Sequence, residues 1–526
     1  MSLSMLYLVI LVAAATALVA VAVVRATHRL GLPALLVFLG IGLLLGEGGL
    51  GIEFDDMAAA QTLGTLALAI ILIDGGLSTR FSTIRDQLRP ASVLATVGVG
   101  VSVAVTTLAT HFVLGFNWQI ALLLGAVVAS TDAAAIFSVL RGVSLPRKVS
   151  GVLEAESGLN DAPAFILVAT FASTAATGQS DGWAVLGLIV WQLVIGAAIG
   201  FAVGFGGAAL VRHLALPVAG LYPLTVFSLG LSAFALAGVS NASGILAAYI
   251  AALILGNSSL PHRAATASFG VGFGWVAQVG LFTMLGLLAS PTSLPAAILP
   301  GIAVGLILTL LARPLSVFIC LLPFRFSLPE QVLISWAGLR GAVPIVLATI
   351  PAAAHLSGAG YLWDIVFVLV VVFTLVQGPT LPWVAKRLTL SGKRHVRDLD
   401  MEAAPLDTID GEVLSVAVPP GSQLSGMHLF ELRLPEPTAV VGVVREGVLT
   451  RPNADFRIKV DDEMLVITPG RLRETVEDRL EALSQGGRLT RWHLGVEKSA
   501  PPARRRFWQR ADRNGDQDTA SNRNGV

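Results

Sequence analysis

The chain has 526 residues, of which 54% are hydrophobic and only 13% charged, and its formal net charge is +1. Soluble proteins carry about 25% charged residues, so this composition excludes an ordinary soluble globule, a disordered chain and a nucleic-acid-wrapping protein. The single cysteine, Cys320, excludes an intrachain disulfide and cysteine-ligated metal sites. We therefore expect a polytopic membrane protein with no nucleic-acid partner and no cofactor.

The charged residues divide the sequence into two parts. Residues 1–390 contain 28 charged side chains, whereas the much shorter stretch 391–526 contains 41. We predict an all-α membrane domain over 1–390, a linker over 391–410, a small cytoplasmic α+β domain over 411–485 and a disordered polar tail over 486–526.

Thirteen apolar segments are candidates for crossing a membrane. A bilayer core of about 30 Å requires about 20 mostly apolar helical residues. Segmenting the sequence at charges, prolines and polar glycine clusters predicts spans over 5–24, 32–50, 60–78, 91–113, 118–140, 151–175, 184–211, 221–238, 240–257, 270–289, 294–321, 330–350 and 361–385.

The basic residues of the loops predict the orientation of these spans. All of them follow odd-numbered spans, and the intervening loops contain no Lys or Arg. Basic loops favour the cytoplasmic side, so we expect the N-terminus outside and the C-terminal region inside. The first apolar run begins at Leu6 with no preceding base, which is typical of a true span rather than a signal peptide. The loop bases are Arg25, Arg29, Arg80, Arg85, Arg89, Arg141, Arg147, Lys148, Arg212, Arg263, Arg325, Lys386 and Arg387.

The order of the spans indicates an inverted repeat. If span seven is a connector, spans one to six and eight to thirteen have opposite orientations. Spans five and twelve are then equivalent, and they contain the least helix-like sequences, at 129–132 and 338–344. Discontinuous helices at matching positions point to a transport site near the membrane midplane.

Glycines repeat every four residues in two spans, at Gly196, Gly200 and Gly204 and at Gly42 and Gly46. Small residues at this spacing permit close helix contact. We expect packing within the subunit, with a dimer seam as the alternative.

Seven ionisable residues remain at membrane depth once the loop charges are assigned. A charge at the bilayer centre costs at least about 2.5–3.5 kcal/mol, so each of these residues requires a compensating partner or a function. They are Asp74, Asp132, Glu154, Glu156, Asp161, Arg313 and Arg340.

Polar side chains in span six form the candidate binding site. Ser157, Asn160 and Asp161 lie on one helical face because they are three and four residues apart. Asp132 and the backbone carbonyl of Thr131 add further oxygens, which hard alkali cations prefer. Two carboxylates in one partly dry site repel each other, which favours protonation of one of them. A proton and a cation can then compete for the same oxygens. A structural hydrogen bond between helices is the alternative for the two aspartates.

The remaining buried charges have predicted structural or peripheral roles. Glu156 lies about 140° around the helix from Asp161, and Arg340 requires a counter-ion, so we predict an ion pair between Glu156 and Arg340. Direct cation ligation is the alternative for this pair. Glu154 and Asp74 lie towards the inner side, and we predict both as entrance residues. The alternative for Glu154 is a solvated side chain, and the alternative for Asp74 is a residue at a helix end.

Three segments together resemble the signature sequences of monovalent cation:proton antiporters of the NhaP/NHE type. They are Ser-Thr-Asp at 130–132, Glu-Ser-Gly-Leu-Asn-Asp at 156–161 and Gly-Leu-Arg-Gly-Ala at 338–342. The resemblance extends over roughly residues 5–390. It implies an inverted-repeat fold with crossed, unwound helices, a homodimer and an elevator-like movement of the ion-binding bundle.

The resemblance also implies roles for individual residues. Asp161 would be the principal cation and proton carboxylate, with Ser157, Asp132 and the Thr131 carbonyl as co-ligands, and Glu156 with Arg340 would form the stabilising ion pair. The Asn160–Asp161 pair resembles the electroneutral branch of the family. Relatives often have proline after the span-five aspartate, whereas this chain has Ala133, so we expect a milder helix break there.

The charged C-terminal part has alternating and β-branched segments near 414–418, 439–444 and 463–467 and a short helix near 427–433. It resembles the TrkA-C regulatory domain at 421–426, 443–447, Pro452 and 461–466. The resemblance implies regulation by an unknown small ligand, and a dimerisation platform without a ligand is the alternative. No glycine-rich βαβ fingerprint precedes the domain, so no Rossmann partner is expected. The Arg504–Arg506 cluster of the tail is either solvated or in contact with anionic lipid.

We therefore predict a multi-pass protein of the cytoplasmic membrane that exchanges K⁺, with Na⁺ as a further candidate, for H⁺ by alternating access, and not an enzyme. A cation channel gated by the C-terminal tail is the first alternative, although the sequence lacks a filter-like carbonyl segment. An intramembrane aspartyl hydrolase using Asp132 and Asp161 is the second.

Overall fold

The computed structural model describes residues 3, 7, 11, 14–22, 34–140, 145–177, 182–214, 216–390, 400–406, 411–453 and 455–487. The chain forms two compact units. One comprises residues 1–396 with 402–413, and the other comprises residues 397–401 with 414–526.

The first unit is helical throughout most of its described part. Residues 14–22 are helical. The helices that follow are α1 (Ala34–Leu45), α2 (Met57–Ser78), α3 (Phe81–Leu114), α4 (Trp118–Val127), α5 (Ala133–Val139), α6 (Arg147–Thr177), α7 (Gly182–His213), α8 (Leu221–Val239), α9 (Gly244–Gly256), α10 (Arg263–Leu287), α11 (Leu294–Phe324), α12 (Leu328–Trp336), α13 (Ala342–Ala353) and α14 (Ala359–Arg387).

Among the described helices, eight are long and apolar enough to cross a membrane, and these are α2, α3, α6, α7, α8, α10, α11 and α14. Four shorter apolar helices, α1, α4, α9 and α13, accompany them. Predicted spans two to thirteen each fall on a described helix or on a pair of half-helices. Most of the first span lies outside the described residues, as do the loop residues Arg25, Arg29 and Arg141, and the number of crossings stays a prediction.

Polar residues at the loop–helix boundaries explain where several helices begin. Asp56 accepts hydrogen bonds from the N–H groups of the first turn of α2, and Asn117 does the same for α4. Ser327 and Glu330 form a capping box at the start of α12. Such side chains satisfy donors that a helix N-terminus leaves without partners.

The glycine repeats pack within the subunit. Gly196, Gly200 and Gly204 of α7 face the backbone and side chains of α9 and of the residue that precedes it. A methyl group at any of these glycines would overlap those atoms. Gly42 of α1 meets α10 equally closely. This confirms the prediction that these glycines serve packing within the subunit, in preference to the alternative of a dimer seam.

Predicted spans five and twelve are each interrupted, as the sequence indicates. The first interruption, residues 128–132, separates α4 from α5, and the second, residues 337–341, separates α12 from α13. The N–H of Asp132 donates to the carbonyl of Leu339 at 2.9 Å, so the two interruptions lie against each other. Helix α5 resumes at Ala133, so the break does not require proline at this position.

The charged C-terminal part of the chain forms a five-stranded sheet with the order β1-β2-β5-β3-β4. Strand β3 pairs antiparallel with both β4 and β5. The elements are β1 (Asp400–Leu406), β2 (Gly411–Ala417), β3 (Ala439–Arg445), β4 (Val448–Thr450), β5 (Glu463–Pro469) and the helix α15 (Arg473–Gly486).

The sequence predicts most, but not all, of this sheet. The three predicted strands fall on β2, β3 and β5, and the short helix near 427–433 is a 3-10 turn at Leu429–Leu432. Strand β1 lies within the predicted linker, and α15 has no predicted counterpart. Residues 391–399 and 407–410 of that linker, and 488–526 of the tail including Arg504–Arg506, lie outside the described residues.

Candidate functional site

The first interruption brings Ser130 to the carboxylate of Asp161. The hydroxyl of Ser130 donates a hydrogen bond to Oδ1 of Asp161, and both side chains are buried, with only 5% of Asp161 exposed. Because residues 128–132 are not helical, their polar groups can turn towards α6 instead of pairing along their own helix.

Helix α6 presents Ser157, Asn160 and Asp161 to the first interruption, as their spacing predicts. The hydroxyl of Ser157 donates to the carbonyl of Thr131 at 3.0 Å. The amide Nδ2 of Asn160 donates to Oγ1 of Thr131 at 2.6 Å, while its Oδ1, fully buried, has no partner among the described residues. Five oxygen-bearing residues therefore meet where the two elements cross.

Asp132 holds the start of a half-helix. Its Oδ1 accepts from the N–H groups of Ala134 at 2.9 Å and Ala135 at 3.2 Å, which makes Asp132 the N-cap of α5. Its Oδ2 faces Gly341, where any side chain would overlap the carboxylate. The carboxylate thus lies near the first residues of both α5 and α13, where helix dipoles favour negative charge.

Arg340 lies at the opposite end of the first interruption. Its NH1 group donates to the carbonyl of Ala129 at 2.9 Å and to the carbonyl of Ser130. These carbonyls follow the last residues of α4, where backbone acceptors lack helical partners and the dipole favours positive charge. A guanidinium at depth is therefore held by the carbonyl end of a half-helix.

The predicted ion pair between Glu156 and Arg340 is wrong. Glu156 instead pairs with Arg313 of α11, through NH1 to Oε1 at 2.5 Å and NH2 to Oε2 at 2.8 Å. Glu156 and Arg313 are 1% and 5% exposed, respectively. The parallel, bidentate geometry suits a guanidinium and a carboxylate, and Arg340 already has backbone acceptors. Spacing along α6 excludes the face of Asp161 but does not identify which neighbouring helix supplies the partner.

A cavity of about 160 Å³ connects Asp161 with the two predicted entrance residues. Asp74 of α2 and Glu154 of α6 line this cavity together with Asp132, Thr131 and Ser157. Asp74 packs against α10, where a methyl group at Gly274 would overlap its carboxylate. All nine predicted site residues except Asn160, Glu156 and Arg340 thus border one space.

Three buried or site-lining residues have no site role in the sequence-based prediction. Tyr249 of α9 lines the cavity, and its ring lies so close to Gly158 that any side chain at Gly158 would overlap it. Ser130 contacts Asp161 directly, and its position next to Thr131 in the broken segment was the available signal. Asp364 of α14 is a further buried carboxylate, but it does not line this cavity.

The oxygen-rich crossing suits an alkali cation or a proton better than a transition metal. Among the described residues, no group of three or more His, Cys, Asp or Glu side chains could hold a metal ion. Interrupted helices that cross around a buried carboxylate define a secondary transporter of small cations.

Comparison with known families identifies this class further. The family model described as "Sodium/hydrogen exchanger, transmembrane" matches residues 14–387, and the model of the TrkA-C domain matches residues 413–480. The chain therefore belongs to the sodium/hydrogen exchanger family and carries a C-terminal TrkA-C domain. Both resemblances inferred from the sequence are confirmed.

Curated relatives extend the match over most of the chain. A K(+)/H(+) antiporter NhaP from Alkalimonas amylolytica is 38% identical, covering 88% of this chain and 81% of the relative. A K(+)/H(+) antiporter NhaP2 from Shewanella sp. (strain MR-4) is 37% identical over 90% of this chain and 82% of its own length. A Na(+)/H(+) antiporter NhaS2 from Synechocystis sp. is 28% identical over 62% of this chain and 61% of the relative.

The fold also matches a solved structure. The sodium proton antiporter MjNhaP1 from Methanocaldococcus jannaschii superposes with a TM-score of 0.64 at 22% identity, covering 74% of this chain and 100% of that one. The chain is a multi-pass membrane protein and a cation/proton antiporter, not an enzyme. The hydrolase alternative is therefore excluded, and the channel alternative is not favoured.

Proposed function

We propose that this protein exchanges K⁺, and also Na⁺, for H⁺ at Asp161 by alternating access. The observation that carries the proposal is the position of this carboxylate at the crossing of the two interrupted helices. It accepts a hydrogen bond from the Ser130 hydroxyl and lines an internal cavity. Ser157 and the Thr131 carbonyl lie beside it as further oxygens.

Competition between ions follows from the small number of ligands. A dehydrated cation at this crossing requires a charged oxygen, because a buried charge with only a few neutral ligands is costly without an opposite charge. Protonation of Asp161 removes that charge, so a proton and a metal ion exclude each other. Asn160 is neutral, so one carboxylate on this face of α6 changes charge per cycle, which supports electroneutral exchange.

Asp132 enters the proposed mechanism through one carboxylate oxygen. Its Oδ1 is held by two backbone N–H groups of α5, so Oδ2, which lies beside Gly341, is the oxygen available to a cation. We assign Asp132 a secondary role as co-ligand and as the charge that stabilises two half-helix starts. The Glu156–Arg313 pair, in place of the predicted pair, fixes α6 against α11.

Asp74 and Glu154 are proposed as entrance residues. Both border the cavity that leads to Asp161, and both are less deeply buried than Asp161. Carboxylates along the path would attract cations and disfavour anions. The loop charges predict that this entrance opens to the cytoplasm, with the N-terminus of the protein outside.

Potassium as the main substrate is supported by two similarities. The relatives at 37–38% identity are described as K(+)/H(+) antiporters, and the TrkA-C domain occurs in potassium-transport regulators. We propose that this domain regulates exchange in response to a small ligand, in a homodimer.

Purified full-length protein in proteoliposomes tests the proposal. An imposed pH gradient should collapse on addition of K⁺ or Na⁺, with Li⁺ compared, and Asp161→Asn should abolish the collapse. Asp364→Asn is the matched control, because Asp364 is also a buried membrane carboxylate but does not line the cavity. Control exchange should stay near the wild-type rate.

Two results would contradict the proposal. Exchange that persists in Asp161→Asn would remove the central carboxylate from the mechanism. A rate that changes steeply with an imposed membrane potential would exclude electroneutral exchange.

A further inference from the structure

A second, larger cavity lies among helices of the membrane unit. It has a volume of about 390 Å³ and is bounded by α11, α12 and α14. Its wall includes Leu310, Phe318, Val332, Trp336 and Trp383, and none of the site residues described above. Pockets that bind small molecules usually have about 300–1,000 Å³, so the space is large enough for a ligand.

A π turn and prolines interrupt the regular hydrogen bonding of two helices along this cavity. In α11, residues 308–312 form a π turn, and the N–H of Arg313 bonds to the carbonyl five residues earlier. Pro314 follows, and α14 contains Pro379 and Pro382 in its last three turns. Each proline removes a backbone donor from its helix, so two of the helices that line the cavity have an incomplete hydrogen-bond ladder beside it.

The lining is suited to an apolar occupant. The three hydroxyl groups on the wall already have partners within the protein. Thr380 accepts from Trp336 Nε1 at 3.2 Å, Ser335 donates to the carbonyl of Gln331, and Thr309 accepts from the Gln377 amide. A polar ligand would therefore find few groups to bond, whereas an acyl chain needs none.

The cavity is also open on the side that lipid covers. Leu310 and Trp383 of its wall are 62% and 65% exposed, and both belong to helices long and apolar enough to cross a membrane. In a bilayer, exposed apolar side chains of such helices face acyl chains. Lipid chains are therefore the apolar molecules with direct access to the cavity.

Two bases lie just beyond the cavity at one end. Lys386 and Arg387 form the end of α14, and both are exposed. They follow Trp383 by three and four residues, which places them within about one helical turn of it, on the same face. Basic groups at this level bind anionic lipid headgroups, and tryptophan favours the same interfacial depth.

We propose that this cavity binds an acyl chain of an anionic glycerophospholipid whose headgroup lies at Lys386 and Arg387. The acyl chain would contact Trp336, the last residue of α12, directly before the second interruption. The lipid would thus act on a half-helix of the transport site without touching the transported ion. The proposal concerns binding and does not depend on the ion that is exchanged.

Lipid retention by the full-length protein tests the proposal. The protein is reconstituted with equal amounts of phosphatidylglycerol and phosphatidylcholine, and native mass spectrometry counts the lipids that remain bound. The wild type should retain one phosphatidylglycerol in preference to phosphatidylcholine. Lys386→Gln with Arg387→Gln should reduce that preference by roughly ten- to thirtyfold, since two bases act on one headgroup. Arg85→Gln with Arg89→Gln, an exposed basic pair in the first turns of α3, should leave it unchanged.

A second pair of variants tests the acyl site itself. Leu310→Trp should fill the cavity and release lipid of either headgroup. Leu311→Trp is the matched control, because Leu311 is 51% exposed but does not line the cavity. Size-exclusion chromatography verifies that each variant is folded.

Three outcomes would overturn the proposal. The first is equal retention of both lipids by the wild type, and the second is equal loss of bound lipid in both tryptophan variants. The third is a preference for phosphatidylglycerol that stays unchanged when Lys386 and Arg387 are replaced. Because binding is measured without transport, failure here is distinct from failure of the exchange assay.

Discussion

The two helix interruptions match in position but not in chemistry. The first, residues 128–132, ends with a carboxylate and exposes backbone carbonyls to the second. The second, residues 337–341, contributes a guanidinium and a glycine. Arg340 binds the carbonyl end of α4, and Asp132 lies beside the first residues of α13 as well as capping α5.

This difference shows how a membrane protein holds opposite charges at depth without pairing them with each other. Each half-helix end carries a partial charge from its unpaired backbone groups. The acid of one interruption and the base of the other compensate these ends, and each interruption supplies the charge that the other lacks. The carboxylate of Asp161 accepts from a neutral hydroxyl and so remains available to an ion.

The largest expected effect tests whether Arg340 is compensated by helix ends and not by Glu156. Glu156→Gln should destabilise the protein by about 3–5 kcal/mol, because it leaves a buried guanidinium on Arg313 without its carboxylate. Adding Arg313→Gln should recover much of this loss, whereas adding Arg340→Gln should increase it. Thermal unfolding of the purified protein, followed by tryptophan fluorescence, compares these variants with the wild type. If adding Arg340→Gln to Glu156→Gln recovered stability and adding Arg313→Gln did not, the result would support the pair Glu156–Arg340 predicted from the sequence.

Removing the base from the second interruption should have the next largest effect. Arg340→Gln leaves the carbonyls of Ala129 and Ser130 short of a charged donor, at a cost of roughly 1–3 kcal/mol for each poorly bonded group. Arg340→Lys retains the charge and should lose less stability. Ser130 also contacts Asp161, so exchange measured in proteoliposomes should fall in both variants. If Arg340→Lys and Arg340→Gln lost equal stability, the positive charge of Arg340 would not be what stabilises the carbonyls of Ala129 and Ser130.

The contact between the interruptions can be tested at its narrowest point. Gly341→Ala should cost about 1–3 kcal/mol, because the added methyl group overlaps the Asp132 carboxylate and has to displace it. Gly272→Ala in α10 is the control, since the space around that position is open. Exchange and thermal stability should both fall in Gly341→Ala. In the control, exchange should remain unchanged and stability should not fall, because alanine favours the helix more than glycine does. Normal behaviour of Gly341→Ala would mean that Asp132 lies farther from α13.

The acid of the first interruption should give the smallest change in stability. Asp132→Asn preserves an N-cap oxygen for α5 and removes the charge beside two helix starts, which costs about 0.3–1 kcal/mol each at exposed ends and somewhat more when buried. Asp132→Ala also removes the cap and should cost about 1 kcal/mol more. Thermal unfolding separates the two roles. Equal stability of the two variants would mean that the cap contributes nothing.

Local sequence predicts the parts of the site that depend on one helix. The spacing of Ser157, Asn160 and Asp161 fixes their common face, and glycine and polar residues mark both interruptions. Partners on other helices are harder to predict from the sequence, because spacing gives the direction of a side chain around its helix but does not identify the neighbouring helix. Glu156 illustrates this limit, since its partner belongs to α11 and not to the second interruption.

Length, composition and charge pattern by themselves determined a membrane protein with two interrupted spans, a buried acid at their crossing and a charged C-terminal sheet domain. Those features depend on hydrophobicity and on helix propensity, which are local properties of the chain. Tertiary structure alone decided that Arg313 neutralises Glu156, that Arg340 and Asp132 bind half-helix ends, and that a second cavity lies among α11, α12 and α14. These depend on distances between helices, which no local pattern encodes.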